Sequence, residues 1–217
     1  MTDFDLLIFD MDGVLVDTND CHSRAYDDLW NQLGVNGVAY EEIAGRKTTE
    51  VIAEITAPLN ASPMQIADWV SFKQQRARQY LASQRITFQD SVESIGRLSR
   101  LGGKRVRLAI GTGASRETTA MVLRRLGWGE AFSVIVTGED VVEGNPAPEI
   151  YLAAMERAGA SPQRTLIVED SRSGLRAAIA SQAYAASVRS GLQAEDGRFI
   201  GSFPDVRSLL TSLSESE

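Results

Sequence analysis

Short, mainly apolar runs recur along the chain, the first of them without interruption, and each is followed at once by polar or glycine residues. The first run is Leu6–Phe9, directly before Asp10, and further runs lie at 106–110, 132–136 and 165–168. A short segment that is apolar at every position predicts a strand buried on both faces, as in a parallel sheet. Helical patterns separate the later runs, so the sequence predicts an α/β fold with a doubly wound parallel sheet.

The helices of this alternating pattern are predicted over about 115–126 and 149–158, and a third begins near Leu175. A weaker strand is predicted at 185–188. The last residues, 211–217, are rich in Ser and Glu, and we expect them to fray.

The segment between the first and second apolar runs has a different character. Apolar residues recur there at helical spacing, as in Ala25, Leu29 and Leu33. No strand of comparable strength interrupts the segment. It therefore predicts an all-helical insertion after the first strand.

Such an insertion divides the chain into two predicted domains. The α/β core, Rossmann-like in its alternation, would comprise 1–18 and 85–217, and a helical cap domain would comprise 19–84. Hinges between them would lie near 14–19 and 84–90.

Composition limits the classes of function. The net charge of −7 disfavours broad nucleic-acid binding, which needs a basic surface. No stretch approaches the roughly 18–20 apolar residues of a membrane helix, and the acidic N-terminus does not resemble a secretory signal. Cys21 is the only cysteine of the 217 residues, which fits a reducing cytoplasm. The oligomeric state is not readable, and a monomer is the default.

Polar side chains follow several of the predicted strands. In an open α/β sheet, ligands bind at the carboxyl ends of the strands, so these side chains are expected to converge. A gathering of carboxylates without histidine or cysteine suits Mg²⁺. The residues concerned are Asp10, Asp12, Thr112, the turn 139–148, Glu169 and Asp170.

Each of these features also has a simpler interpretation. A lone Asp-x-Asp is often a solvated turn, and Thr112 could begin a helix. A calcium-binding EF-hand is excluded, because Val14 occupies the third ligand position and Cys21 the twelfth. The order of the motifs and their position after strands favour a common site.

Four segments resemble the motifs of the haloacid dehalogenase superfamily. They are 9–18 (FDMDGVLVDT), 110–113 (IGTG), 144–151 (GNPAPEIY) and 168–174 (VEDSRSG). Residues 17–30, which include His22, resemble the branch with a small helical cap that contains β-phosphoglucomutase and many sugar-phosphate phosphatases.

The resemblance implies a role for each motif. Asp10 would attack phosphorus and form an aspartyl-phosphate, and Asp12 would act as general acid and base. Thr112 and adjacent amides such as that of Gly113 would bind the phosphate oxygens. The implied Mg²⁺ ligands are Asp10, the Asp12 main-chain carbonyl and Asp170, with Glu169 in support.

The third motif departs from the superfamily pattern, since Asn145 stands where a lysine is usual. Asparagine donates a hydrogen bond but carries no charge. Losing one preorganised donor to the transition state typically lowers the rate by about 10²–10³.

Other residues could compensate for that lysine. A substitute cation could come from Arg46 or Lys47, unless both are simply solvated charges in a turn. His22, the only histidine, could order the hinge or contact the general acid, and a structural role is equally compatible.

The leading interpretation is a Mg²⁺-dependent phosphatase that hydrolyses a small phosphorylated metabolite. A phosphomutase of the β-phosphoglucomutase type remains open, as does a binding or regulatory protein weakened by Asn145. A two-component receiver domain is disfavoured, because its phosphorylated aspartate follows a later strand and it lacks a long helical insertion. Haloacid dehalogenase activity is disfavoured because Asp12 fits phosphoryl transfer better.

Overall fold

The structure, a computed structural model, describes residues 4–98 and 106–215. Its strands form one sheet in the order β3-β2-β1-β4-β5-β6, and the adjacent strands are parallel. The strands are β1 (Leu6–Phe9), β2 (Arg107–Gly111), β3 (Val134–Val136), β4 (Thr165–Glu169), β5 (Tyr184–Val188) and β6 (Phe199–Phe203).

Helices cover both faces of the sheet and form the segment between β1 and β2. They are α1 (Asn19–Leu33), α2 (Tyr40–Ile43), α3 (Thr48–Ile55), α4 (Pro63–Ser83), α5 (Gln89–Leu98), α6 (Arg116–Leu126), α7 (Glu149–Ala158), α8 (Arg172–Ala180) and α9 (Val206–Glu215). Short 3₁₀ turns lie at Ala57–Leu59 and Pro162–Arg164.

The central strand β1 shows why its sequence is apolar throughout. Leu7 and Phe9 contribute to one hydrophobic core, and Leu6 and Ile8 contribute to a second core on the opposite face of the sheet. A strand between two helical layers needs apolar side chains in both directions. The predicted doubly wound α/β fold is confirmed.

Helices α1 to α4 have a hydrophobic core of their own, built from residues that include Leu29, Trp30 and Ile52. The chain enters and leaves this helical insertion through two adjacent segments, where the Asp17 amide donates to the Ile86 carbonyl at 2.9 Å. The fold class with a helical insertion is therefore confirmed, and the domain boundaries at 18/19 and 84/85 stay a prediction.

Most predicted elements are present, with small shifts at their ends. Helix α8 begins at Arg172, three residues before the predicted start, because Ser171 caps it by accepting a 3.0 Å hydrogen bond from the Gly174 amide. Strand β3 is shorter than predicted. No helix in 4–98 or 106–215 is both long and apolar enough to cross a bilayer.

The C-terminal region differs most from the sequence-based prediction. Strand β6 and helix α9 were not predicted, and residues 211–215 are helical rather than frayed. Helix α9 persists because Val206 and Leu209 are buried and Asp205 accepts a 2.7 Å hydrogen bond from the Ser208 amide. Residues 216–217 lie outside the described residues.

Candidate active site

Three carboxylates gather where β1 and β4 end. Phe9 and Val168 are paired in register, so Asp10 and Glu169 come next at the same level of the sheet. One carboxylate oxygen each from Asp10, Glu169 and Asp170 lies within 4.8 Å of the other two. The predicted convergence of these side chains at the strand ends is observed, and we call them the carboxylate cluster.

The cluster carries more negative charge than its surroundings neutralise. Burial, followed by the charges of Glu169, Asp12 and Asp170, raises the pKa of Asp10 well above its ordinary value. Burial and the charge of Glu169 raise the pKa of Asp170 to about 8. Carboxylates in this situation require either protons or a cation.

The donor atoms of the cluster fit a hard divalent cation. All are carboxylate oxygens, from two buried residues and one partly buried residue, and they are close enough to share one ion. Oxygen ligands of this kind select ions such as Mg²⁺ over softer transition metals.

Glycines make room for the carboxylates. Gly13 has φ +78°, and a Cβ there would overlap Oδ2 of Asp170. A Cβ on Gly174 would overlap the carboxylate of Glu169. Both positions lie in the first and fourth motifs, so close approach to the cluster explains why glycine stands there.

The Asp12 carboxylate is directed away from the cluster. Thr18 donates a hydrogen bond from Oγ1 to Asp12 Oδ1 at 2.5 Å, and His22 Nε2 lies 3.3 Å from the same oxygen. Burial raises the pKa of Asp12, but the contacts with His22 and Thr18 and the charge of Lys73 outweigh it, so the pKa lies below its ordinary value. The Asp12 side chain is therefore not a member of the carboxylate cluster.

Behind His22 lies Lys73, with its Nζ 3.0 Å from His22 Nδ1. An ammonium group has no lone pair, so Nδ1 accepts and Nε2 carries the ring proton that faces Asp12. Lys73 is only 4 % exposed and lies 4.2 Å above the Tyr26 ring. Burial, partly offset by the Asp12 charge, lowers the pKa of Lys73 to about 8.

Sequence reasoning did not assign a role to Lys73. A signal was available, because Lys73, Ala77 and Leu81 are spaced by four residues and are the buried positions of α4. A lysine on the apolar stripe of a helix needs a partner inside the protein.

Thr112 and Gly113 follow β2, as predicted. The Thr112 side chain is buried, and its Oγ1 accepts a 3.1 Å hydrogen bond from the Ala114 amide. Ser115 then caps α6 by accepting a hydrogen bond from the Thr118 amide, so Thr112, Gly113 and Ala114 line the pocket just before a helix N-terminus. A Cβ on Gly113 would lie 3.2 Å from the Gly45 carbonyl of the insertion.

Most of the predicted site residues line one pocket of about 40 Å³. They are Asp10, Asp12, His22, Arg46, Thr112, Gly113 and Asp170. An adjoining cavity of about 490 Å³ shares Asp170 with it and extends toward Phe88 and Arg172. The pocket lies between the strand ends of the sheet and the helical insertion.

The structure does not bring Lys47 to the carboxylates. Its Nζ donates to the carbonyls of Val141 and Val142 at 2.8 and 3.0 Å. Arg46 lines the pocket, but its guanidinium pairs with Glu54 at 2.6 Å. As the side chains lie, Lys47 is not a substitute cation, because its ammonium is used to hold the loop that leads to Asn145.

Asn145 lies inside the protein, 2 % exposed. The Asn145 side chain lowers the pKa of the Tyr151 phenol, against the larger raising effect of burial, and the Tyr151 hydroxyl donates to Glu169 Oε1. The Tyr151 side chain therefore links Asn145 to Glu169 of the carboxylate cluster. Sequence reasoning missed Tyr151, although it ends the third motif.

Known proteins resemble this chain over most of its length. Residues 7–188 match the family described as haloacid dehalogenase-like hydrolase. A phosphorylated carbohydrates phosphatase from Thermotoga maritima is 33% identical, with 79% of each chain covered. The β-phosphoglucomutase of Bacillus subtilis is 28% identical, with 85% of this chain and 83% of that protein covered.

A solved structure shows that the similarity extends to the fold. CbbY from Rhodobacter sphaeroides in complex with phosphate is 27% identical, with a TM-score of 0.78 and coverage of 95% of this chain and 96% of that one. The sequence match spans the site described above from Asp10 to Asp170. This chain therefore belongs to the haloacid dehalogenase-like hydrolase family of enzymes.

Proposed function

We propose that this enzyme is a Mg²⁺-dependent phosphatase of a small phosphorylated metabolite and acts through an aspartyl-phosphate on Asp10. One observation carries the proposal. Asp10 and Asp12 line the same pocket, yet their surroundings shift the pKa of Asp10 up and that of Asp12 down. Two carboxylates with opposite shifts are suited to two different tasks.

Mg²⁺ would be held by Asp10, the Asp12 main-chain carbonyl and Asp170, with Glu169 in support. The ion would supply positive charge for the phosphate oxygens and keep Asp10 ionised at neutral pH. Asn19 supports this arrangement, since its Nδ2 lies 3.3 Å from Asp170 Oδ2.

The side chains perform the proton transfers. Asp10 attacks phosphorus as the bond to the leaving oxygen breaks, and Asp12 gives that oxygen its proton. The negative phosphate raises the pKa of Asp12 and so favours the protonated form in the substrate complex. In the second step Asp12 takes a proton from water as the water attacks the aspartyl-phosphate, and Asp10 and phosphate are released.

Thr112 and Gly113 would bind the phosphate oxygens in both steps. In support, both residues line the pocket directly before the N-terminus of α6, where the helix dipole favours an anion. Asn145 would contribute a neutral donor only, so we expect slower turnover than a lysine at this position would allow.

The helical insertion, 19–84, would act as a cap that excludes water and selects the substrate. A relative named as a phosphorylated carbohydrates phosphatase supports a sugar phosphate as the substrate class. The adjoining cavity of about 490 Å³ has room for a small organic group. A monomeric state and a cytoplasmic location stay predictions of the sequence.

A phosphomutase is the second candidate, supported by the similarity to β-phosphoglucomutase. Both reactions share the first step and differ in whether water or a sugar hydroxyl accepts the phosphoryl group. A mutase would need a bisphosphate activator and would release little phosphate.

The test is phosphate release from a panel of sugar phosphates and other small phosphomonoesters, with Mg²⁺ and with EDTA. Metal-dependent release without a bisphosphate supports the phosphatase. Isomerisation of a sugar phosphate that requires a bisphosphate supports the mutase. Absence of both reactions across the panel would contradict the proposal and favour a binding protein.

A further inference from the structure

The adjoining cavity of about 490 Å³ contains charged residues to which the proposed reaction assigns no role. It meets the pocket of Asp10 at four shared residues, which are Asn19, Tyr40, Ala44 and Asp170. The other residues that line the cavity include two arginines, Arg172 after β4 and Arg189 after β5. Cationic side chains therefore lie beside the proposed site of phosphate chemistry.

Arg189 has a backbone conformation that is unfavourable for arginine. Its φ is +61°, in the left-handed region that favours glycine. The residue directly follows β5 at the carboxyl edge of the sheet, and its amide donates to the Phe203 carbonyl at 3.0 Å. Strained residues held in this way occur preferentially at functional sites. We therefore expect the Arg189 side chain to have a role that glycine could not fill.

Contacts through one nitrogen hold the Arg189 guanidinium in place. Its Nη2 donates to both carboxylate oxygens of Asp90 at 2.8 Å, and its Cζ lies 3.6 Å from the centroid of the Phe88 ring. Within 4–98 and 106–215, no residue accepts a hydrogen bond from Nη1. A fixed guanidinium with one nitrogen left over is preorganised to bind a carboxylate or a phosphate group.

Arg172 adds positive charge that no described carboxylate neutralises. It is the exposed first residue of α8, and it forms no ion pair or hydrogen bond within the part of the chain that the structure describes. Two carboxylates also line the cavity. A divalent ion would neutralise Asp170, and solvent screens the charge of the exposed Glu41. An anionic group in the cavity would therefore be attracted to the two arginines.

We propose that the adjoining cavity is a second anion-binding site, where a carboxylate or phosphate group binds Arg189 Nη1 and Arg172 supplies the positive charge. Two ligands have this chemistry. One is a second anionic group of the substrate, whose reactive phosphate lies at Asp10, and the other is a free anion such as inorganic phosphate. The first ligand rests on the proposed function, whereas the binding of an anion does not.

The first test locates the anion without turnover and without a variant. Crystals of the wild type with Mg²⁺ are soaked in sodium selenate, because selenium gives an anomalous signal. We expect a peak in the adjoining cavity, in contact with Arg189 Nη1, in addition to any peak beside Thr112. A peak beside Thr112 alone, or the absence of any peak in the cavity, would overturn the proposal.

Titration calorimetry with sodium sulfate at saturating Mg²⁺ measures the contribution of Arg172. We expect Arg172→Gln to weaken sulfate binding by about tenfold or more, the usual size of one hydrogen bond to a charged group. Arg176→Gln removes the same charge from another exposed position of α8 and is the matched control. Undiminished affinity in Arg172→Gln, or an equal loss in both variants, would contradict the proposal.

Competition titrations identify the natural ligand of the site. The probes are 6-phosphogluconate and sorbitol 6-phosphate, which share one carbon chain and differ in a carboxylate at the end opposite the phosphate. If a second anionic group of the substrate binds, 6-phosphogluconate should displace sulfate about tenfold more effectively, and Arg172→Gln should remove the difference. Equal displacement by the two probes would assign the site to a free anion.

The outcomes also separate this inference from the proposed function. Sulfate binding in the cavity without phosphate release from any substrate would remove the phosphatase and leave the anion site standing. Metal-dependent phosphate release without sulfate or selenate in the cavity would do the opposite.

Discussion

His22 Nε2 lies 3.3 Å from Asp12 Oδ1, and this contact joins the helical insertion to the end of β1. The imidazole is backed by Lys73, so positive charge reaches Asp12 but not Asp10. Two carboxylates separated by one residue consequently have pKa shifts of opposite direction: burial and neighbouring carboxylates raise the pKa of Asp10, whereas the contacts of Asp12 hold its pKa below the ordinary value. The division of labour between nucleophile and proton-transfer group would depend on a lysine 61 positions away from Asp12 in the sequence.

Replacing Lys73 with methionine should lower turnover by roughly 10²-fold, the lower end of the usual contribution of acid–base catalysis. The charge of Lys73 lowers the pKa of Asp12, so its loss should shift the acidic limb of the pH–rate profile upward. The measurement is the pH–rate profile of phosphate release. Gln75→Met on the exposed face of α4 is the control, and a slower Lys73→Met enzyme with an unshifted profile would indicate a purely structural role.

Without a bound metal ion, the free energy of unfolding should fall as the pH rises toward 8. The folded-state pKa of Asp170 is about 8, compared with an ordinary value of 3.8. Between these values the folded protein holds a proton that the unfolded chain has released, so deprotonation disfavours folding. We expect the unfolding midpoint in EDTA to decrease over this window, and Mg²⁺ to raise it more at pH 8 than at pH 5. An equal Mg²⁺ effect at both pH values would contradict this.

Asp10→Asn should abolish the aspartyl-phosphate and all phosphate release. The same change should stabilise the metal-free protein at pH 7, because it removes one member of a buried group of like charges. Phosphate release and thermal unfolding in EDTA measure the two effects. Asp27→Asn, at an exposed position of α1, should change neither phosphate release nor the unfolding midpoint in EDTA. Residual turnover in Asp10→Asn would remove the proposed nucleophile.

Tyr151→Phe should destabilise the protein by about 1–3 kcal/mol, because the buried Glu169 carboxylate loses a hydrogen-bond donor. Urea unfolding at constant Mg²⁺ measures the change. Tyr184→Phe removes the same atom from a partly exposed residue and serves as the control. Equal stability of the two variants would show that the hydroxyl contributes no net stabilisation at Tyr151.

Lys47→Ala should lower turnover several-fold while leaving the fold intact. Lys47 holds Val141 and Val142, and Glu50 accepts a 2.8 Å hydrogen bond from the Gly144 amide, so the insertion positions the loop that leads to Asn145. The comparison is kcat and KM of Lys47→Ala against Thr49→Ala, an exposed residue of α3. Full activity of Lys47→Ala would show that these bonds do not organise the site.

The amino-acid sequence by itself determined the sheet and the place of the chemistry. Strands such as Leu6–Phe9 are apolar at every position because both of their faces are buried, and this local property is readable without neighbours. Parallel strands share one carboxyl edge, so Asp10 and Glu169 could be placed together from their positions after two strands. Strand β6 escaped prediction because Gly201, at φ +139°, and Ser202 interrupt any apolar pattern.

Only the tertiary structure decided what the charged side chains do. Lys73 meets His22 because α1 packs against α4, and Lys47 turns to Val141 because α3 begins beside that loop. The sequence contains each lysine but not the direction of its side chain, which depends on how the helices pack. The environment of Asp12 and the hydrogen bonds of Lys47 are therefore properties of the folded protein, since both arise from contacts between segments far apart in the chain.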